Sequence, residues 1–488
     1  MPASKTPHIL VIGAGIGGLT CAALLVKAGF RVTVLEAHIY PGGCAGTFYH
    51  QGYRFDAGAT LAGGFAPGAP HARLAQLLGI DWRVHPVNPA WIVYLPDHRI
   101  TQWAERERWQ DEIHHHFPES AAFWRRQTWL AEQSWQISST DFPWPPGSPH
   151  DLLKIIQSLR PSTLLSSPFV FLKMSHLIPA HASPALRVFL DSQLLISAQC
   201  LSHQANALYG SAALDLPRRG VHHVWGGIGS LAQTLVDWLR QNGAEVHYRQ
   251  LVQRIEIRPS LTILHTKKGA SFTADGVVAN LTPWGLQSLL GENTPAKLQG
   301  LIQRRPPTWG AFTLYLGLDS AALLSLPADH FQVIVHPDRP LGEGNSVFIS
   351  LSHPQDASRA PQGMRAATLS THTAIAPWWS DDLSTGQKRE SEYTERLLNA
   401  AEIAIPGIRQ AIRLLLPGTP RTFAFYTHRP QGMVGGFPMA SLWRALTPAT
   451  GIPNLWLVGD SIFPGQSTAG VTLGGIRVAA EVIRHFRF

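Results

Sequence analysis

Glycines at a fixed spacing carry the clearest chemical signal in this sequence. They are Gly13, Gly15, Gly17 and Gly18, with Ile16 among them. In the pattern Gly-x-Gly-x-x-Gly, the first glycine permits a tight turn and the second lets the backbone approach a pyrophosphate. The third lets a helix pack closely on a strand. Because the N-terminal amides of that helix then face the anion, the segment predicts a dinucleotide-binding loop.

Two acidic residues stand at the ends of apolar runs that lie far apart in the chain. Glu36, followed by Ala37, ends the first run, and its carboxylate can accept hydrogen bonds from ribose hydroxyls. Gly459 and Asp460 end the second run, where a carboxylate can bind the hydroxyls of a ribityl chain. Because NAD has no ribityl chain, the two acids together indicate FAD extended between these two parts of the chain.

The hydrophobic pattern predicts the elements that must position these residues. Apolar runs predict buried parallel strands at 8–12, 31–35 and 454–458. A helix is expected over 19–28, and another is expected from about Ala469 onward. The start of this last helix contains Gly470, Val471 and Thr472, and its dipole can stabilise negative charge on the N1 and C2 side of a reduced flavin.

Composition limits the class of protein. With 488 residues, 45% of them hydrophobic, and a net charge of +8, the chain can bury a large core. At roughly 100–200 residues per domain, two or three domains are expected. The cysteines at 21, 44 and 200 show no spacing suited to a disulfide framework or a zinc site, which favours a reducing compartment. The histidines at 114–116 do not share one face of a helix or strand, so no metal site is predicted.

The distribution of charge indicates which partners to expect. Basic residues occur as isolated pairs, with no run of five or six, so nucleic acid is not an expected partner. The uncharged stretch 8–26 is interrupted by glycines and 192–214 contains polar residues, so no transmembrane helix is expected. Residues 1–7 lack the layout of a signal peptide. The sequence thus predicts a cytoplasmic protein, whose diffuse positive charge suits peripheral association with a membrane surface.

Several motifs, in the expected order, extend this pattern along the whole chain. Besides the first glycine loop, they are 225–229 (Trp-Gly-Gly-Ile-Gly), 277–280 (Val-Val-Ala-Asn) and 457–460 (Leu-Val-Gly-Asp). With these motifs the chain resembles the superfamily of flavin-containing amine oxidases and phytoene desaturases. The resemblance implies that Val252 supplies a backbone contact to the adenine of FAD.

The segment after Glu36 indicates a branch of that superfamily. Where most members resemble each other in having Gly-Gly-Arg beside the flavin, this chain has Gly43 followed by Cys44. Small residues here, Phe-Asp-x-Gly at 55–58 followed by Ala59 and Thr60, and Gly-Asp-Ser-x-Phe-Pro-Gly-Gln at 459–466 resemble carotenoid isomerases and related carotenoid desaturases. The resemblance implies that these positions line the cofactor. A redox role for Cys44 is disfavoured, because a second thiol at redox spacing is absent.

The sequences of two segments, 43–47 and 469–475, are most similar to those of terminal 3′,4′ carotenoid desaturases. This implies an FAD-dependent oxidoreductase that introduces a C=C bond into a carotenoid, with a quinone or O₂ as electron acceptor. A cis-to-trans carotene isomerase and a non-catalytic carotenoid carrier remain open as alternatives. No catalytic residue is assigned; His428, Arg429 and Gln431 are candidates for lining the site.

The expected fold class is α/β. A Rossmann-type FAD-binding domain is built from three separate pieces, about residues 1–70, 220–300 and 450–488. A mixed α+β substrate-binding domain takes up 71–219 and 301–449. Within it, an amphipathic helix over 152–159 is either an ordinary packed helix or one that dips into a membrane interface.

Overall fold

The computed structural model describes residues 6–139, 144–146, 149–158, 160–305, 309–380, 382–438 and 440–487. Its helices are α1 Ile16–Lys27, α2 Pro70–Leu78, α3 Arg106–His116, α4 Ala121–Ser139, α5 Pro149–Ser158, α6 Pro161–Ser166, α7 Pro184–Ala198, α8 Ala207–Leu214, α9 Gly229–Gln241, α10 Pro283–Leu290, α11 Ala296–Gln303, α12 Ala376–Ser380, α13 Leu383–Ala404, α14 Ile408–Ala411, α15 Pro420–Thr427 and α16 Thr468–Arg487. Its strands are β1 His8–Ile12, β2 Arg31–Leu35, β3 Thr47–His50, β4 Tyr53–Asp56, β5 Ala62–Gly63, β6 Val84–Val87, β7 Ile92–Leu95, β8 His98–Thr101, β9 Val221–Val224, β10 Glu245–His247, β11 Val252–Ile257, β12 Thr262–Thr266, β13 Ser271–Ala274, β14 Gly276–Ala279, β15 Trp309–Asp319, β16 His330–Ile334, β17 Ser346–Leu351, β18 Met364–Ala374, β19 Ile412–Gly418 and β20 Leu455–Leu457.

A parallel sheet brings distant parts of the chain together. Within the described residues it has five strands in the order β10-β2-β1-β14-β20. Every residue of β1 is buried, as a strand covered on both faces requires. Helices α1, α9 and α16 contribute to the core on one side of this sheet. The carboxyl ends of β1, β2, β14 and β20 therefore lie at one edge, which is where doubly wound folds bind ligands.

The predicted elements of this sheet agree with the observed ones except at their ends. The predicted strands at 8–12 and 31–35 match β1 and β2, and the strand predicted at 454–458 is observed as β20. Helix α1 begins at Ile16, three residues before the predicted start, because Gly17 and Gly18 are part of its first turn. Helix α16 begins at Thr468.

A second, larger sheet has mostly antiparallel pairing. Among the described residues its order is β19-β15-β18-β17-β16-β7-β8, with one parallel pair, β16 and β7. Helix α13 packs against it through Leu397 and Ala401, which belong to the same buried cluster as Phe312 and Leu316 of β15. The architecture is thus the expected Rossmann-type unit with a mixed α+β unit.

The segment after residue 70 packs differently from the predicted division. Leu74 and Leu78 of α2 belong to the core cluster of the parallel sheet, and β6 pairs with β9. Residues 70–87 thus pack with the first unit, although the predicted boundary assigned them to the second. The reason is that α2 covers α1 and α16, whose apolar surfaces need a partner. The boundaries themselves stay a prediction.

Helix α5 exposes most of its apolar residues. Leu152, Leu153 and Ile156 are more than half exposed, while Ile155 is buried; Leu159 of the predicted helix lies outside the described residues. Nearby along the chain, Leu164, Leu165 and Phe171 are also exposed. We call these six exposed residues the apolar patch. Within the described ranges, no helix combines the length and the apolarity that crossing a bilayer requires.

Candidate cofactor site

The loop between β1 and α1 is a tight cradle whose glycines are in close contact with Asn280. Gly13 has a φ of +89°, and its N–H donates to the carbonyl of Leu35 over 2.8 Å. A Cβ on Gly15 would lie 2.5 Å from Nδ2 of Asn280, and one on Gly18 would lie 2.7 Å from the carbonyl oxygen of Gly13. No side chain caps the N-terminus of α1, and its first turn contains no acidic residue. The helix dipole is therefore left for an anionic ligand.

Glu36 lies at the carboxyl end of β2, as predicted. One of its oxygens accepts the N–H of Ala14 over 2.6 Å, and the other accepts the N–H of His38 over 2.8 Å. Burial raises the pKa of Glu36, although these two N–H groups oppose the shift. The carboxylate therefore holds the glycine loop in place. Ala37 follows it and is half-buried.

A short 3₁₀ turn, Gly43–Ala45, lies beside the loop. The N–H of Gly42 donates to the carbonyl of Ala14 over 2.9 Å, and a Cβ on Gly43 would be 3.8 Å from the Cα of Gly15. The carbonyl of Cys44 accepts the N–H of Ala59 over 3.3 Å. Thr60 follows and is half-buried. Burial raises the pKa of the Cys44 thiol, so the group is neutral at physiological pH.

The carboxyl end of β20 completes the cradle. A Cβ on Gly459 would lie 3.1 Å from Oδ1 of Asn280, and one on Gly17 would lie 3.5 Å from the Cα of Gly459. Asp460 is the next residue and is mostly buried. The two glycine-containing turns therefore meet around a single amide side chain, although they are separated by more than 400 positions in the sequence.

The start of α16 differs from the expectation. Gly470 donates its N–H to the side chain of Ser467 over 3.0 Å, and Val471 donates to the carbonyl of Ser467 over 3.0 Å. Thr472 is fully buried and its hydroxyl is 3.4 Å from Nδ1 of His71. These residues are already bonded because the helix begins at Thr468, one position earlier than predicted. Their contact with a flavin stays a prediction.

Arg429 enters the site from the loop after α15. Its Nη2 donates to Oδ2 of Asp460 over 2.5 Å, and its Nη1 donates to the carbonyl of Gly435 over 2.7 Å. Burial disfavours the charge of Arg429, but Asp460 more than offsets this effect and raises the pKa of the guanidinium. The other two candidates for lining the site, His428 and Gln431, are exposed at the surface.

A second glycine segment, at 226–229, is closed by the protein itself. The N–H of Ile228 donates to Oδ1 of Asp56 over 2.9 Å, and the N–H of Gly229 donates to the hydroxyl of Thr47 over 2.8 Å. A Cβ on Gly227 would lie 2.5 Å from that hydroxyl. Asp56 also forms a buried ion pair with Arg359 over 3.0 Å. This segment therefore fastens the N-terminus of α9 instead of facing a ligand.

Buried polar atoms without partners lie at both ends of this group of elements, near Glu36 and at the start of α16, and they test whether the residues present fit FAD. Near Glu36, Oε1 of Gln250 and Nδ1 of His38 are buried and make no hydrogen bond with the described residues. At the start of α16 the same holds for Nε2 of Gln466 and Oγ1 of Thr468. Donors and acceptors at both ends, with an uncapped helix N-terminus between them, suit a long dinucleotide with a central pyrophosphate. Val252, at the start of β11, is buried among apolar neighbours.

Asn280 is the residue whose role sequence reasoning missed. It stands directly after the four buried residues of β14, and its Nδ2 is 3.4 Å from the carbonyl of Gly13. The signal was present, because a polar side chain at the carboxyl end of a buried parallel strand points to the ligand edge of the sheet. The motif at 277–280 ends in this residue, and the glycine and acid motifs alone do not reveal its contact with the loop.

Comparison with known proteins identifies the family. The profile described as flavin containing amine oxidoreductase matches residues 16–483, so the chain belongs to this family, and FAD is its cofactor. Among solved structures, it is similar to an oxidoreductase from Methanosarcina mazei, with a TM-score of 0.65 and 19% identity over 97% of this chain and 100% of that one. It is also similar to a putrescine oxidase variant, with a TM-score of 0.65 and 14% identity over 98% of this chain and 99% of that one. At such identities the likeness shows the fold alone.

Curated relatives match nearly the whole chain. It is 27% identical to prolycopene isomerase 1, chloroplastic, of an Oncidium hybrid cultivar, over 97% of this chain and 84% of the relative. It is 26% identical to the chloroplastic prolycopene isomerase of Arabidopsis thaliana, over 97% of this chain and 82% of that relative. It is also 26% identical to a lycopene-forming phytoene desaturase of a Paracoccus species, over 99% and 98%.

Proposed function

We propose that this member of the flavin-containing amine oxidoreductase family introduces a C=C bond into a carotenoid, at the terminal 3′,4′ position. The observation that supports this most is the match to carotenoid desaturases and isomerases over 97–99% of the chain, including segments outside the cofactor cradle. The 3′,4′ position rests on the resemblance at 43–47 and 469–475.

The site suits chemistry on a hydrocarbon. Bound FAD supplies the acceptor for a hydride from a C–H next to the polyene, and the neighbouring carbon loses a proton. Apolar residues lie close to Asp460: Phe437, whose N–H donates to Ser461, and Ile462 are almost fully buried. The Cys44 thiol is neutral, and the charge of Arg429 is paired with that of Asp460. The protein therefore contributes chiefly by positioning the substrate and excluding water.

Product analysis tests the proposal. Purified protein loaded with FAD is incubated with a γ-carotene-type substrate and a quinone, or with O₂ in place of the quinone. The products are then separated by chromatography, and their masses are measured by mass spectrometry. We expect a product two hydrogens lighter with a red-shifted absorption maximum, since each added double bond lengthens the polyene. Pigment that binds tightly but leaves with its mass and geometry unchanged would contradict the proposal and favour a carrier.

A cis-to-trans carotene isomerase is the second candidate. It is favoured by the relatives that bear the name prolycopene isomerase and match 97% of this chain. An isomerase would leave the substrate's mass unchanged and alter only the retention time of the isomer. It would also act with reduced FAD and need no external electron acceptor. The same incubation, repeated anaerobically with dithionite-reduced FAD, separates the two activities.

We further propose how the chain holds FAD. The pyrophosphate lies at the N-terminus of α1, near Gly13 to Gly18, with the adenosine toward Glu36 and Val252 and the flavin toward Asp460 and the start of α16. Replacing Gly18 with valine should abolish FAD loading, because even a Cβ there meets the carbonyl of Gly13 at 2.7 Å. Gly300→Ala in α11, where a Cβ meets nothing within 4 Å, is the matched control and should load FAD normally. Stoichiometric FAD in the Gly18→Val protein would contradict this placement.

The apolar patch is the proposed membrane-docking surface. It combines six exposed apolar side chains with the basic residues Lys154 and Arg160, a combination that suits an anionic bilayer. In a flotation assay with anionic liposomes, wild-type protein should rise with the lipid, and an Ile156→Glu/Leu165→Glu variant should stay at the bottom. Leu324→Glu, at an exposed leucine outside the patch, is the control. Failure of the wild-type protein to float would contradict the proposal.

A further inference from the structure

The guanidinium of Arg429 has N–H groups that make no hydrogen bond with the described residues, although most of the side chain is buried. Only 18% of its side chain is exposed. Two of the five N–H groups of a guanidinium are used here, one on Asp460 and one on the carbonyl of Gly435, and the other three meet no acceptor among the described residues. Unused N–H groups on a largely buried guanidinium are available to a further acceptor, and an anionic ligand can supply one.

The surroundings indicate the kind of acceptor. Arg429 is close enough to the 3₁₀ turn for its charge to lower the pKa of Cys44, against the larger effect of burial. That turn is in contact with Gly15 at the start of α1, and Asp460 follows Gly459, which is in contact with Gly17. Two series of contacts therefore connect the guanidinium to the uncapped N-terminus of α1, one through the turn at 43–45 and one through Asp460 and Gly459. A helix N-terminus and a planar cation that face the same ligand form a site for a phosphate group.

We propose that Arg429 is a cofactor-binding residue that donates its unused N–H groups to the pyrophosphate of FAD while Asp460 keeps it in position. The inference rests on the FAD placement proposed above, and it gives this role to the loop after α15, outside the glycine and acid motifs of the parallel sheet. The guanidinium supplies the positive charge at the site, where the segment 42–46 contains no basic residue.

A double-mutant cycle on FAD affinity tests the proposal. Dissociation constants for FAD are measured by quenching of flavin fluorescence for the wild-type protein, Arg429→Met, Asp460→Asn and the double variant. Arg429→Met should weaken FAD binding about 10- to 100-fold, the usual effect of losing charge-assisted hydrogen bonds. The same substitution should have a similar effect in the Asp460→Asn background. If it has none there, Arg429 only neutralises Asp460 and the proposal is wrong.

Riboflavin, which has no pyrophosphate, identifies the part of the cofactor that is recognised. Its affinity should change less than about 3-fold in Arg429→Met. An equal loss for riboflavin and FAD would overturn the assignment to the pyrophosphate. Arg429→Lys keeps the charge without the planar fork, so it should lose about 3- to 10-fold for FAD and serves as the informative variant if Arg429→Met does not fold.

The control is Arg413→Met on β19, which removes a guanidinium from a half-exposed pair with Asp319. It should bind FAD like the wild-type protein. The readout does not depend on turnover: if wild-type protein binds FAD but converts no carotenoid, the proposed reaction fails while this inference stands. If Arg429→Met binds FAD as the wild type does, this inference fails while the reaction is unaffected.

Discussion

Helices α1 and α9 both begin after glycine-rich turns, and of these two N-termini only that of α1 lacks a capping side chain among the described residues. At α9, the carboxylate of Asp56 and the hydroxyl of Thr47 accept the first N–H groups. At α1, no side chain of the described residues caps the helix, and the carboxylate of Glu36 accepts from the loop at Ala14. The glycines alone do not distinguish the two cases. What distinguishes them is whether the fold supplies its own acidic group or leaves the position to a ligand.

This difference separates stability from cofactor binding. Substitutions around α9 should lower the free energy of unfolding and leave FAD affinity intact, since their partners are internal. Substitutions around α1 should weaken FAD binding and leave the free energy of unfolding of the FAD-free protein largely unchanged. Variants on the two sides of the molecule can test this distinction.

The largest effect is expected for Asp56→Ala. It removes the cap of α9 and leaves Arg359 buried without its partner, so the free energy of unfolding of the FAD-free protein should fall by about 3–5 kcal/mol. Urea denaturation followed by circular dichroism measures this loss. Asp319→Ala, from a half-exposed ion pair, is the control and should cost no more than about 1 kcal/mol. An unchanged stability together with weakened FAD binding would place Asp56 at the cofactor instead.

Glu36→Ala tests the other helix. It should weaken FAD binding by about 1.5–3 kcal/mol, which is roughly 10- to 150-fold, because the ribose loses a charged acceptor and the loop loses its tie at Ala14. Equilibrium dialysis with FAD measures the change. Glu36→Gln, which keeps an acceptor without the charge, should lose less. Stoichiometric FAD at wild-type affinity in Glu36→Ala would show that the acid does not contact the cofactor.

Acid should destabilise the α9 side of the molecule. Burial acts to raise the pKa of Asp356, but hydrogen bonds from His223, Ser358 and the N–H of Gly226 outweigh it and lower the pKa well below the ordinary value. The carboxylate therefore stabilises the fold above about pH 4, and this contribution, about 1–3 kcal/mol, is lost as the pH falls further. Unfolding free energies at pH 5 and pH 3 should differ less in Asp356→Asn than in the wild type. Equal slopes would exclude this role.

The smallest effect is expected at Cys44. Because burial keeps its thiol neutral, Cys44→Ser should change the affinity for FAD by less than about 3-fold and leave the flavin reduction potential unchanged. Spectroelectrochemical titration of the FAD-loaded variant gives the potential. A marked shift would indicate that the sulfur interacts with the cofactor electronically.

How much could be predicted from the sequence depended on the distance between partners along the chain. The unit from β1 through α1 to Glu36 was predicted with small errors at its ends, because strand, turn and helix signals are local. The contact of Gly13 with Asn280 and the pair of Arg429 with Asp460 join residues that only the folded sheet brings together. The role of the segment at 226–229 was equally hidden, since its partner Asp56 lies in another part of the chain. Motifs indicate where backbone must approach something, but they do not say what.

Helices α1 and α16 come from opposite ends of the chain, and a Cβ on Gly475 would lie 2.6 Å from the carbonyl of Gly17. During synthesis, the first turn of α1 leaves the ribosome long before its packing partner exists. The nascent chain therefore carries an exposed, incomplete cradle for most of translation, and FAD can be captured firmly only after α16 has emerged. Closing so long a loop is slow, so the apolar face of α1 waits longer for its partner than a helix that packs against its neighbours in sequence.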